Sequence, residues 1–200
     1  MKKIIAIVGM PGAGKTETAE YLFSKGMPFV RFGEITEDEV RRRGLPLTTD
    51  NERIVREAIR KEGGMGAYAL RAEPKINKLL EANEVIVIDG LYSWEEYTYL
   101  KEKFPGLILI NVYAEPKVRY LRLSKRSIRP ISLDECYLRD VAELEKLNKG
   151  GPIAIADYTI ENNSDNTSKL YAKIDSLLSR LSINLPADPL QSSESTDALK

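Results

Sequence analysis

Five short apolar runs rich in β-branched residues punctuate the chain: Ile4 to Val8, Pro28 to Phe32, Val85 to Ile88, Leu107 to Tyr113 and Tyr158 to Ile160. The first, third and fourth are nearly continuous rather than alternating, the pattern of strands covered on both faces. Between them the apolar spacing turns helical over Lys15 to Ser24, Glu37 to Arg43, Asn51 to Lys61, Ala67 to Ala82, Trp94 to Lys103, Pro116 to Arg126, Leu133 to Lys149 and Ser168 to Leu181. Strands alternating with helices and joined by right-handed crossovers predict an α/β fold of three layers around a parallel sheet. The segment 33–83 holds helices and no strand pattern, which predicts a helical lobe over the carboxyl edge of the sheet. Past Ile183 the sequence turns to Pro, Ser, Asp and Thr with little apolar surface, so 1–184 reads as one domain and 185–200 as a disordered tail.

Composition narrows the chemistry. The 200 residues carry 30 basic and 30 acidic side chains, so no global field draws the chain to nucleic acid or anionic lipid. No apolar run approaches the ~20 residues of a membrane-spanning helix. The opening Met1-Lys2-Lys3 and its apolar run are cut short by Gly9, Pro11, Gly12 and Gly14, and a polar helical sequence follows, so the run is expected to be a first strand rather than part of a signal peptide. One cysteine, Cys136, permits no internal disulfide and suits a reducing cytoplasm. The count of zero histidines excludes a Ser-His-Asp triad, a Cys-His pair and imidazole-ligated zinc, leaving carboxylates, cations, hydroxyls or an oxygen-held metal.

The chemistry is carried first by Gly9-Met10-Pro11-Gly12-Ala13-Gly14-Lys15-Thr16, which fits the phosphate-loop pattern and sits between an apolar strand and an amphipathic helix. Glycines let the backbone wrap a polyphosphate so that its N–H groups and the helix N-terminus face it. Lys15 is the expected ligand of the β and γ phosphates, and the Thr16 hydroxyl of Mg²⁺. Asp89, at the end of the Val85 to Ile88 strand, is the expected second metal-organising group.

A third feature is a stretch without acids that holds Lys117, Arg119, Arg122, Lys125, Arg126 and Arg129. Arg119, Arg122, Arg126 and Arg129 recur at helical spacing, predicting one basic face that clamps a transferring phosphoryl group, with Arg139 adding a further fork. Arg126 and Arg129, beside Pro130, are the preferred catalytic pair.

Together these features resemble the small P-loop kinases of the nucleoside monophosphate kinase group, and within it an archaeal adenylate-kinase-related family bordering on dephospho-coenzyme A kinase. The likeness runs through residues 7–16, Phe-Gly-Glu at 32–34, Arg-Arg-Arg-Gly-Leu at 41–45, Val-Ile-Asp-Gly at 87–90, Arg-Asp at 139–140 and Ala-Asp-Tyr-Thr-Ile-Glu-Asn at 156–162. It implies a five-stranded parallel sheet, an acceptor-binding lobe from 33–83, an arginine-rich lid from 116–150, and transfer of the γ-phosphoryl of ATP with Mg²⁺. Lys15, Asp89, Arg126, Arg129 and Arg139 then act on the phosphates. Arg122 and Asn162 lie toward ATP, whose base is taken against 160–163.

Gly33, Glu34, Arg41, Arg71, Gly90 and Tyr92 face the acceptor. Two positions depart from the group, since Glu34 and Glu37 and then Leu91-Tyr92 stand where acceptor-binding arginines are usual; Arg41 and Arg71 are the candidate replacements. The expectation is a cytoplasmic kinase, monomeric or homodimeric, acting on a nucleoside monophosphate or similar nucleotide. A ribose hydroxyl as acceptor, an ATP/AMP-sensing module and, less strongly, nucleic-acid cleavage or remodelling are the alternatives.

Overall fold

The computed structural model describes residues 2–126 and 130–183. Its sheet is made of β1 (Lys3–Val8), β2 (Phe29–Arg31), β3 (Val85–Asp89), β4 (Leu107–Tyr113) and β5 (Tyr158–Glu161). They are ordered β2-β3-β1-β4-β5 and every pair is parallel. The helices are α1 (Lys15–Ser24), α2 (Phe32–Arg42), α3 (Thr49–Gly63), α4 (Ala67–Ala82), α5 (Trp94–Lys103), α6 (Pro116–Ser124), α7 (Leu133–Glu145), α8 (Gly150–Ala154) and α9 (Thr167–Arg180). This is the three-layer α/β arrangement expected from the alternation of patterns.

The continuous apolar run of β1 is explained by the two cores. Ile4, Ala6 and Val8 point into a cluster with Val40, Val55, Ile59, Ile76 and Leu100, contributed by α2 to α5. Ile5 and Ile7 point the opposite way, onto Ala19 and Leu22 of α1 and Leu170, Ile174 and Leu177 of α9. Successive side chains of a strand alternate faces, so burial on both sides demands apolar residues at every position.

Two elements depart from the sequence pattern. Phe32 is not the end of a strand but the first residue of α2, which starts five positions before the expected Glu37; Phe32, Thr36, Glu39 and Val40 form its buried face. Gly33, a poor helix former, hides that first turn. The segment expected as one helix from Leu133 to Lys149 ends at Glu145, turns through Asn148 at φ 51°, and restarts as α8. Asparagine tolerates the left-handed conformation that closes helices, but the unbroken spacing of charged and apolar residues masks the stop.

Register sets the functional edge. Asp89 lies across from Ile7 on one side and Arg31 on the other, so β1, β2 and β3 finish together. The tail at 185–200 and Arg129 lie outside the described residues. Among the described residues, no helix is long and apolar enough to cross a membrane.

Candidate functional site

The turn after β1 requires its glycines. Gly9, Gly12 and Gly14 have φ values of 147°, 78° and 105°. A Cβ would lie 2.3 Å from the Val112 carbonyl oxygen at Gly9, 2.7 Å from that of Arg119 at Gly12, and 2.4 Å from Asn162 Nδ2 at Gly14. The loop is thus pressed between β4, α6 and the segment after β5. Asn162 Nδ2 donates to the Ala13 carbonyl at 2.9 Å, and buried Arg119 donates to that of Pro11 at 3.0 Å.

Beside the loop opens a cleft. One wall is Pro11, Gly12, Lys15 and Thr16; another is Arg31, Gly33, Asp89, Gly90 and Tyr92; Arg126, Arg139 and Glu143 complete it. Four cations therefore face two carboxylates. Such an excess held in a concave, partly desolvated space favours an anion.

Lys15 retains partial surface exposure as a residue, but its ammonium is enclosed and donates to the Met10 carbonyl at 3.0 Å. Burial, then the neighbouring Lys149, bring its pKa from 10.5 down to about 7. Asp89 moves the other way, since burial raises its carboxyl above the usual range against the pull of Lys15 and Arg31. The Arg126 guanidinium is held below its ordinary pKa by burial and by Arg139. These shifts describe cations held together with too little counter-charge, which an anion in the cleft would supply.

The predicted residues fall into two groups. The loop, Thr16, Asp89, Gly33, Gly90, Tyr92, Arg126 and Arg139 come together as described. Among the described residues, Glu34, Arg41, Arg71, Arg122 and Asn162 do not line the cleft, and Arg119, Arg122 and Arg126 do not share the single basic face expected of them. Arg119 is turned inward in a bidentate pair with Asp140, at 2.9 and 2.6 Å. Arg122 donates to the carbonyls of Asn162 at 2.8 Å and Ser164 at 2.7 Å. Arg126 stands beyond the end of α6.

Helical spacing cannot tell a cation that faces solvent from one that satisfies buried carbonyls. Asn162 likewise braces the phosphate loop with its side chain. Arg41 pairs with Asp38 at 2.8 Å and Glu37 at 3.6 Å, and Arg71 with Glu62 at 3.7 Å and Glu39 at 3.9 Å. Glu34 is joined to Lys75. The acids of the lobe hold these cations against its own helices, away from the cleft.

Two residues lining the cleft, and one buried behind it, were not anticipated from the sequence. Arg31 occupies the strand end next to Asp89, a position legible only once β2 is placed beside β3. Glu143 lies one turn beyond Arg139, on the same face of α7. Lys149 has no exposed surface, follows the masked helix end, and contacts Glu143.

The wall of the cleft that carries Gly90 and Tyr92 is fixed by Glu96. Its Oε2 accepts from the backbone N–H of Tyr92 at 2.7 Å and of Ser93 at 3.1 Å, while Oε1 lies 3.6 Å from Arg60. Burial pushes its pKa from 4.5 up to about 7, Arg60 opposing. A carboxyl raised in the folded state contributes stability below pH 4.5 that is lost as pH rises through about 7. Lys15, brought down to about 7, acts in the opposite sense as pH rises further, so the difference between the native chain and a Glu96 variant isolates the carboxyl. Glu96→Gln is expected to flatten the decline of unfolding free energy between pH 5 and pH 7, read from urea denaturation at each pH; an unchanged slope would show that Glu96 does not titrate there.

The parallel sheet and the glycine loop together define a P-loop α/β domain. The model of the family described as "AAA domain" matches residues 5–140. A UPF0200 protein of Thermococcus sibiricus is 40% identical over 184 residues, covering 90% of this chain and 96% of that protein. The chain therefore belongs to the AAA-domain family and to the UPF0200 proteins. In fold it is similar to shikimate kinase from Bacteroides thetaiotaomicron, with a TM-score of 0.59, 15% identity, and coverage of 90% of this chain and 98% of that one. A gluconokinase from Sinorhizobium meliloti gives a TM-score of 0.56 at 18% identity, covering 96% and 98%.

Proposed function

We propose that the chain is an ATP- and Mg²⁺-dependent phosphotransferase that moves the γ-phosphoryl group to a small nucleotide-like acceptor. The observation that carries this reading is the convergence of Lys15, Arg126, Arg139 and Asp89 on one cleft at the mouth of the glycine loop. Lys15 and the loop amides hold the β and γ phosphates. Arg126 and Arg139 meet the charge that spreads over the transferring group, in an enclosure where such contacts count for more than in water. Phosphoryl transfer asks little else of a protein than this positioning and neutralisation.

The donor set fits magnesium. The Thr16 hydroxyl and the Asp89 carboxylate share the cleft, and among the described residues there is no group of three or more His, Cys, Asp or Glu that could cage a metal. One hydroxyl and one carboxylate suit an ion that takes its remaining oxygens from phosphate and water. When bound, Mg²⁺ supplies charge neutralisation at the β and γ oxygens.

The acceptor lies between Arg31, Gly33, Gly90 and Tyr92 in this reading. Gly90, at φ 99°, leaves the backbone open there; a Cβ would meet the Tyr92 ring at 3.2 Å. A nucleoside monophosphate would present its phosphate to Arg31, which already pairs with Glu37 at 2.9 Å. The pairing of Arg41, Arg71 and Lys75 within the lobe favours a second form of the same reading, in which the acceptor atom is a hydroxyl and Asp89 orients it. The shikimate kinase and gluconokinase named above, similar in fold, support phosphotransfer as a class.

A pool of nucleoside monophosphates and of hydroxyl-bearing acceptors such as nucleosides and dephospho-coenzyme A, incubated with ATP and Mg²⁺, tests this. A product heavier by one phosphoryl group identifies the acceptor. Tight ATP binding with no product from any acceptor would favour a sensing module.

A further inference from the structure

Lys149 is the one fully buried lysine among the described residues. It sits at the turn between α7 and α8, which is clamped onto α5: Asn148 Nδ2 donates to Glu95 at 3.2 Å, and a Cβ at Gly151 would lie 2.6 Å from the Trp94 ring. Its ammonium bonds Glu143 Oε2 and lies 4.7 Å from the centroid of the Tyr92 ring. The other oxygen of Glu143 is 3.5 Å from Arg139 Nε. A chain of alternating charge thus runs from the interior to the cleft, from Lys149 through Glu143 to Arg139.

A carboxylate is out of place in a cleft built for polyphosphate. Without Lys149, Glu143 would keep Arg139 as its remaining ion-pair partner among the described residues, with Lys15 further off, and would both repel the γ-phosphoryl group and hold Arg139 away from it. The cost of burying a lysine is well spent if the lysine cancels that charge from behind. Lys15, Asp89, Arg139 and Glu96 also feel the Lys149 charge, and only the Glu143 carboxylate bonds it.

We propose that Lys149 is a positioning residue that neutralises Glu143 and so leaves Arg139 free to bind the phosphoryl group in transfer. The proposal rests on the kinase reading above and goes beyond it by giving a residue outside the cleft a defined task. Lys149→Met, Glu143→Gln and the double variant, in the full chain with Mg²⁺, are compared for affinity toward ADP alone and toward ADP with aluminium fluoride, which mimics the group in flight.

Lys149→Met is expected to weaken the fluoride complex about 100-fold, the scale of one lost electrostatic contact, while ADP affinity is little changed. Adding Glu143→Gln should restore most of that loss, because the stranded carboxylate is gone. A merely structural lysine gives a different pattern, with the double variant as impaired as the single one. If Lys149→Met fails to fold, the neutral double variant still decides: folded and binding the mimic near the Glu143→Gln level supports the proposal, folded and deficient overturns it. Unchanged affinity in Lys149→Met overturns it as well. Absence of ADP binding by the native chain would instead contradict the kinase reading.

Discussion

Lys15→Met is expected to reduce phosphoryl transfer by about 10²- to 10³-fold, the loss typical of one preorganised charge at a developing anion, and to make the folded protein more stable at pH 6. Both effects have one cause. The Lys15 ammonium is enclosed beside Lys149, and burial with that repulsion lowers its pKa to about 7 from 10.5. Below about pH 7 the folded state must carry the charge at a cost; between there and pH 10.5 the unfolded chain binds a proton that the folded chain lacks, so native stability rises with pH. The advantage of the methionine variant should therefore shrink as pH increases toward 9. Denaturant titrations at pH 6 and pH 9 beside turnover measurements check this, and a variant that is inactive because it is less stable at pH 6 would refute it.

The second large effect falls on stability. Arg119, only 4% exposed, ties three pieces together: it donates to the carbonyls of Ala114 and Pro11 and forms the bidentate pair with Asp140, which also accepts from Tyr120 at 3.0 Å. Arg119→Met leaves Asp140 buried with its main counter-charge removed and the phosphate loop without one of its braces, the Asn162 contact remaining. Breaking such a pair costs about 3–5 kcal/mol, a large part of the stability of a domain this size. Adding Asp140→Asn should recover part of the loss, since the stranded charge is then neutral, but should not recover nucleotide affinity, since the Pro11 carbonyl remains without its donor. Urea midpoints and ATP titration separate the two. A loss below about 1 kcal/mol would mean that the pair contributes little.

The same arginine shows where sequence reasoning stopped. The phosphate loop was legible because chemistry fixes both residue types and spacing, and because it lies between a strand and a helix. Asp89 was legible as the end of an apolar run, and the two-sided cores followed from the nearly continuous apolar character of β1, β3 and β4. Arg119 and Arg122 have the same spacing as a cleft-facing basic stripe, and what sets them apart is tertiary: Asp140 lies 21 residues away from the first and the Asn162 carbonyl 40 from the second. Arg31 needed the pairing of β2 with β3, and Lys149 needed the turn at Asn148. Arg41 and Arg71 looked available because their partners Glu37, Asp38, Glu39 and Glu62 are interleaved with them, and only packing decides which charges cancel.

The central claim is that this cleft transfers a phosphoryl group rather than merely holding a nucleotide. The direct measurement follows the γ-phosphorus of labelled ATP with Mg²⁺ and the acceptor pool over the native chain, with Lys15→Met alongside. The prediction is label in a phosphorylated small molecule, dependent on Mg²⁺ and lost in the variant. Label that remains in bound ATP, or product formation that Lys15→Met leaves untouched, would contradict it.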